Sequence, residues 1–207
     1  IGRITPTGTV TQFNLPAATP PNTVAGGEVL IEAFISQTGV VTKAVPLRIT
    51  PPYTQLMLDA VARWQFQPAM ALNKKRLQER VETSVLIAAV YRSAALLNGP
   101  TVGWPPKDIT SPSAEVPFPF ALISPAYPLK TVNVPFGRAL FEMELRERGE
   151  IQTVRHIAGD AGFEVVSAEA LRQWKFRPST FRGLPATSIA YVFFGFPAPV
   201  IIVDHHQ

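Results

Sequence analysis

The motif Trp-x-Phe-x-Pro occurs twice in this chain, at residues 64–68 and again at residues 174–178, 110 positions later. The same shift places Gly27 on Gly137 and Gly39 on Gly149. A self-match at one spacing over about forty residues indicates that one supersecondary unit was built twice. The chain is a tandem repeat, and its function must be one that such a unit can perform.

Each repeat predicts the order strand, strand, helix, strand. In the first repeat, residues 28–36 and 40–49 have strand composition and flank a turn that ends at Gly39. Apolar residues then recur on one helical face up to each motif tryptophan, and the motif proline should end each helix nearby. The third extended segments are residues 78–91 and 186–196. We expect an α+β fold of two tandem modules, each a small antiparallel sheet with one principal helix.

A proline-rich connector separates the two repeats. Residues 93–126 contain seven prolines and three charged residues, a composition that favours polyproline II and loop structure. Its apolar portion, residues 116–123, either packs on a module or stays free. The expected organisation is a leader over 1–26, a first module over 27–92, the linker over 93–126, a second module over 127–203 and a tail over 204–207.

Composition excludes several classes of function. The net charge of +4 is spread along both repeats without a basic stripe, which argues against nucleic acid. The chain has no cysteine, so disulfides and thiolate metal sites are excluded. No run reaches the ~18 to 20 apolar residues that span a bilayer. The chain begins at Ile1 without a signal-peptide pattern, which predicts a processed or trimmed piece whose targeting segment lies elsewhere.

Candidates for chemistry are few, and each has a simpler interpretation. Glu142 and Glu144 alternate onto one strand face and could form a carboxylate pair for acid–base work, but a solvated sheet face is the favoured interpretation. His156 is expected at the surface. The basic turn at residues 74–76 is expected to guard a sheet edge. Residues 204–206, Asp-His-His, are expected to be an unstructured tail rather than a metal site. We expect no enzyme activity, cofactor or metal.

The second repeat carries a recognisable series of motifs. In order, they are Tyr127-Pro128, the hairpin glycines 137 and 149, a helix that ends at Trp-x-Phe-x-Pro, and the turn Gly183-Leu-Pro185. This series resembles the C-terminal domain of TonB, the energy transducer of Gram-negative outer-membrane transport. The resemblance covers most of residues 27–92 and 127–200. The first repeat departs from it, with Pro20-Pro21 in place of Tyr-Pro and a basic turn in place of Gly-x-Pro.

The resemblance implies a periplasmic, non-enzymatic domain that binds an extended segment of an outer-membrane TonB-dependent receptor by β-strand addition. It also implies coupling to an inner-membrane, proton-driven complex through an N-terminal tether. Strand addition needs an exposed sheet edge, and we expect the last strand of each repeat to supply it. The predicted partner-binding residues are Tyr127, Pro128, Ser188, Ala190, Val192, Phe194, Thr83, Val85 and Ile87.

Two alternatives stay open. Residues 1–16 resemble a blade fragment of streptogramin lyase-type β-propellers, so the chain could be the C-terminal accessory part of a propeller enzyme. The simpler interpretation is a leading hairpin or strand that packs on the first repeat. In the second alternative, the two repeats pair with each other as a structural adaptor and hide their binding edges.

Overall fold

The computed structural model describes residues 8–18, 25–93, 106–128 and 136–197. Over these residues it contains fifteen strands and only two helices. A short strand, β1 (Val10–Gln12), precedes the first repeat. The first repeat then contains β2 (Gly27–Ile35), β3 (Val41–Ile49), α1 (Tyr53–Val61), β4 (Gln65–Phe66), β5 (Ala69–Leu72), β6 (Gln78–Val81) and β7 (Thr83–Tyr91).

The second half follows the same plan. The connector contributes two short strands, β8 (Lys107–Asp108) and β9 (Phe118–Ala121). The second repeat contains β10 (Gly137–Leu145), β11 (Ile151–Gly159), α2 (Glu164–Leu171), β12 (Lys175–Arg177), β13 (Ser179–Phe181), β14 (Leu184–Ala186) and β15 (Ser188–Phe196).

Seven strands form one continuous sheet in the order β11-β10-β15-β7-β2-β3-β8. Every pair is antiparallel except β15 and β7, which lie parallel from Ala190 opposite Leu86 to Gly195 opposite Tyr91. The expected α+β fold of two β-β-α-β modules is therefore wrong, because the last strands of the two repeats join their sheets into one. Each of those strands is buried along all nine residues, and the pairing gives both of them neighbours on either side.

The two helices lie on opposite faces of this sheet. Equivalent strands that run side by side in the same direction require one repeat to be turned over relative to the other. Tyr53 and Met57 of α1 accordingly share a core with Ile31 and Ile87 on one face. Leu171 of α2 belongs to the core on the other face. Each helix covers only the half of the sheet that its own repeat supplies.

Two extended segments cover the remaining halves. The leading segment, residues 8–18, pairs with β4 of the first repeat through β1, and its apolar side chains join the core on the α1 face. The expectation that a leading strand packs on the first repeat is confirmed. The connector segment, residues 106–128, pairs with β12 of the second repeat through β9 and places Val116 in the core on the α2 face.

The motif tryptophans anchor both segments. The Trp64 indole N–H donates to the carbonyl of Asn14 at 3.2 Å, and the Trp174 indole N–H donates to the carbonyl of Ile123 at 3.0 Å. Both indoles are buried, as the helical pattern predicts. The repeat is thus longer than its sequence match, since each unit includes the extended segment that precedes it.

The region before each last strand also differs from the single extended segment that the sequence predicts. Hairpin β5–β6 and hairpin β13–β14 precede β7 and β15 and pack against each other through Ala71, Val81 and Phe181. Arg182 of one hairpin forms an ion pair of 3.4 Å with Glu79 of the other. A second, smaller contact therefore joins the repeats beyond the sheet.

Candidate functional site

The strands predicted to bind a partner lie in the middle of the sheet. β15 carries Ser188, Ala190, Val192 and Phe194 and pairs with β10 along its whole length, while its other side pairs with β7. The first-repeat candidates Thr83, Val85 and Ile87 lie on β7, which pairs with β2 along its whole length and with β15 from residue 86 onward. The prediction that these are edge strands is wrong.

The sequence contains a signal for this outcome. Residues 83–91 and 188–196 are apolar almost without interruption instead of alternating between apolar and polar. A continuous apolar run is typical of a strand covered on both faces, whereas a strand with one wet face alternates. These runs are therefore the local sign that β7 and β15 are central strands.

Tyr127 and Pro128 contribute to packing rather than to an exposed surface. The Tyr127 ring makes edge contacts with Phe163 and Phe196 at centroid distances of 6.4 and 6.3 Å, and the Arg92 guanidinium lies 5.7 Å from its centroid. Burial raises the pKa of the Tyr127 phenol, an effect that Arg92 partly offsets. Pro128 is buried. Both residues position the start of the second repeat on the core of the α2 face.

The outer strands of the sheet are β3 in the first repeat and β11 in the second, and β3 is guarded. β8 pairs with its last two residues, and the Asp108 carboxylate accepts two bonds from Arg48, at 2.6 and 3.2 Å. The Ile109 amide donates to the carbonyl of Leu47 at 2.9 Å. Pro46, in the middle of β3, has no amide proton to offer a further strand.

In the part of the chain that the structure describes, β11 has no such guard. Among the described residues no strand pairs with its outer side. The position equivalent to Pro46 is His156, because Pro46 lies opposite Ile31 and His156 lies opposite the matching Phe141. His156 is exposed, as predicted from the sequence. Each outer strand carries two bulges against its inner neighbour, which twist an edge and discourage uncontrolled pairing.

Behind β11 lies a buried polar network centred on Glu142. One carboxylate oxygen accepts from the Tyr191 hydroxyl at 2.8 Å, and the other accepts from Arg155 at 2.7 Å. The Tyr191 oxygen in turn accepts from the Val10 amide at 2.7 Å, which ties the leading segment to the second repeat. Burial raises the pKa of Tyr191, and Glu142 raises it further. The interpretation of Glu142 as part of a solvated face is wrong, since it is 9% exposed.

The first repeat has an equivalent buried glutamate with different partners. Glu32 is 3% exposed and accepts bonds from the amide and the hydroxyl of Ser113 in the connector segment. Glu115 lies nearby, and burial followed by the charge of Glu32 raises the pKa of Glu115. Both buried glutamates therefore hold an extended segment against the sheet.

The other sequence candidates stay separate from this edge. The basic turn lies at the tip of the β5–β6 hairpin and is exposed. The described part of the chain has no group of three His, Asp or Glu side chains placed to hold a metal. The tail at residues 204–207 lies outside the described residues.

Comparison of the chain with models of known families, with curated proteins and with solved structures finds no match. No helix in the described ranges is long and apolar enough to cross a membrane.

Proposed function

We propose that this chain is a non-enzymatic protein-binding adaptor of the periplasm, in which two repeats resembling the TonB C-terminal domain pair with each other. The observation that carries the proposal is the parallel pairing of β7 with β15. In a single repeat the last strand would be a free edge, but here the last strands pair with each other. The edges of the joined sheet are therefore formed by the outer strands. The proposed partner is an extended segment of an outer-membrane receptor. Coupling to an inner-membrane, proton-driven complex would need a tether in addition to these residues.

The polar groups of the sheet support binding over catalysis. The buried Glu32 and Glu142 accept hydrogen bonds from the connector segment, from Tyr191 and from Arg155, so both carboxylates hold the sheet and its covering segments together. An outer strand, by contrast, has a row of main-chain donors and acceptors facing outward, which is what an extended peptide recognises. The chemistry required of a docking domain is thus available without any reactive side chain.

The proposal is tested by titrating ¹⁵N-labelled protein with peptides from the N-terminal segments of outer-membrane receptors. We expect weak, saturable amide shifts on an outer strand of the sheet and no shifts in β7 or β15. Shifts centred on β15 would contradict the self-paired adaptor, because they would require the joined sheet to open. If no receptor peptide shifts any amide, the protein-binding function is wrong.

A further inference from the structure

We propose that the outer edge of β11 is the docking edge, and that its occupant is an extended, acidic segment of a partner protein paired antiparallel to this strand. This inference rests on the proposed function and adds the place, the orientation and the charge of the partner.

The first repeat shows how such an edge is filled. There, β8 pairs antiparallel with the end of β3, the Ile109 amide bonds the carbonyl of Leu47, and the Asp108 carboxylate pairs with Arg48. Leu47 is the extra residue of a bulge, since Leu30 lies opposite Arg48 and the next residue lies opposite Pro46. The chain thus adds a strand to its own first edge with main-chain bonds to the bulged residue and one carboxylate–arginine pair.

Within the described ranges, the second repeat has the same edge without the added strand. Its bulge falls at Ile157, between the pairs Leu140 with Ala158 and Phe141 with His156. Pro46 lies opposite Ile31 in the ladder although a proline has no N–H to donate. The nitrogen at this position therefore faces away from the neighbouring inner strand. The equivalent amide of His156 therefore faces the open side, where an incoming strand can accept from it. The carbonyl of Ile157 corresponds to the one that β8 uses in the first repeat.

Side chains on β11 select the charge of the occupant. The Arg155 side chain is 59% exposed although its guanidinium bonds Glu142, so its outer side is open to a second carboxylate. An acidic residue directly across from Arg155 would reproduce the Asp108–Arg48 pairing of the first repeat. On the opposite face of the strand, half-buried Val154 offers an apolar neighbour.

An acidic partner fits this edge better than a second copy of the chain. Antiparallel self-pairing of β11 would bring two Arg155 side chains to the same face of one strand pair. The chain also carries a net charge of +4, so two copies repel each other at long range. A partner segment with a carboxylate opposite Arg155 avoids both repulsions.

The test uses a synthetic nine-residue peptide of alternating Thr and Val with one central Glu, and a matched peptide with Lys at the centre. Binding to ¹⁵N-labelled protein is followed by NMR for the wild type, His156→Pro and His156→Ala. His156→Pro removes the outward amide and copies the residue that the first repeat already holds at this position, whereas His156→Ala removes only the side chain. Near-ultraviolet circular dichroism checks that each variant is folded.

We expect the Glu peptide to shift β11 amides and to bind His156→Pro at least about tenfold more weakly, with His156→Ala within about twofold of the wild type. The Lys peptide should bind the wild type about tenfold more weakly, the ratio that ~1.4 kcal/mol of lost charge pairing produces. If His156→Pro does not fold, the wild type is titrated with Glu peptides N-methylated on one or the other set of alternate amides. Only one set should lose binding.

Four results would overturn the inference, in distinguishable ways. Equal binding to the wild type and His156→Pro would remove β11 as the edge and leave the adaptor function standing. The same conclusion would follow if both N-methylated Glu peptides bound as well as the unmodified one. Sedimentation that shows a wild-type dimer dissociated by His156→Pro would make the occupant a second copy. If neither this peptide nor any receptor peptide binds, the proposed function fails together with its site.

Discussion

The hydrogen bond from the Val10 amide to the Tyr191 hydroxyl joins the two ends of the described chain. It can be tested by replacing Tyr191 with Phe. The Tyr191 hydroxyl accepts from the Val10 amide and donates to the Glu142 carboxylate, and Tyr191 is fully buried. A neutral hydrogen bond contributes about 1 kcal/mol and one to a charged group about 1.5 to 3 kcal/mol. Arg155 still neutralises Glu142 in the variant, so the expected loss of unfolding free energy is about 2 to 4 kcal/mol.

The phenylalanine ring keeps the packing, which makes the change specific to the hydroxyl. Tyr191 contacts Trp64 and Phe66 edge-on, both at a centroid distance of 5.7 Å, and a phenyl ring fills the same space. Urea denaturation followed by tryptophan fluorescence measures the loss. Hydrogen exchange reports the freed Val10 amide, which should exchange faster than in the wild type.

A matched control is present one strand away. Tyr91 is also buried, at 1% exposed, but its hydroxyl has no hydrogen-bond partner among the described residues. Tyr91→Phe should therefore change the unfolding free energy by less than about 0.5 kcal/mol or stabilise the protein. If Tyr191→Phe costs less than about 1 kcal/mol, or no more than Tyr91→Phe, the network does not hold the leading segment as we describe.

Three further substitutions test the core and its charges. Trp174→Ala should cost about 3 to 5 kcal/mol in urea denaturation because it empties a buried site, and a loss below about 1 kcal/mol would contradict its role as a core anchor. Gly137→Ala should cost about 1 to 3 kcal/mol in thermal unfolding because the new methyl overlaps the fully buried Phe163 ring; an unchanged melting temperature would show that the ring can move. Glu115, whose pKa is raised above its ordinary value of 4.5, contributes stability that is present below about pH 4.5 and lost as the pH rises through the folded pKa. Glu115→Gln should remove that decline from a pH series of unfolding free energies, and an identical pH profile would argue against the raised pKa.

Local patterns in the sequence predicted local structure well. The two hairpins turn at Gly39 and Gly149, whose φ angles of +87° and +82° are costly for other residues. Both helices end within three residues of the motif tryptophan, and both indoles are buried. Glycine turns and helical periodicity are determined by neighbours in the chain, so a single sequence displays them.

The joining of the repeats was not predicted, because it depends on contacts between distant residues. Parallel pairing of β7 and β15 brings together residues such as Leu86 and Ala190. No periodicity within one repeat encodes which strand lies beside it. The candidate edge was missed for the same reason, since β11 becomes an outer strand only once β15 has been used by β7. The sequence shows a proline at position 46 and none at position 156. Only the strand order shows that both positions lie on outer strands, where a missing amide matters.

The central place of β15 has a consequence for the order in which the protein can fold. During synthesis β7 emerges long before β15. Until β15 emerges, the edge of β7 that later pairs with it is open, and both faces of β7 are apolar. Such an unpaired apolar strand readily associates with other chains. The join also links residues far apart in sequence, a topology that folds slowly. A chain that has completed its first repeat is therefore at its most vulnerable to aggregation until β15 can pair with β7.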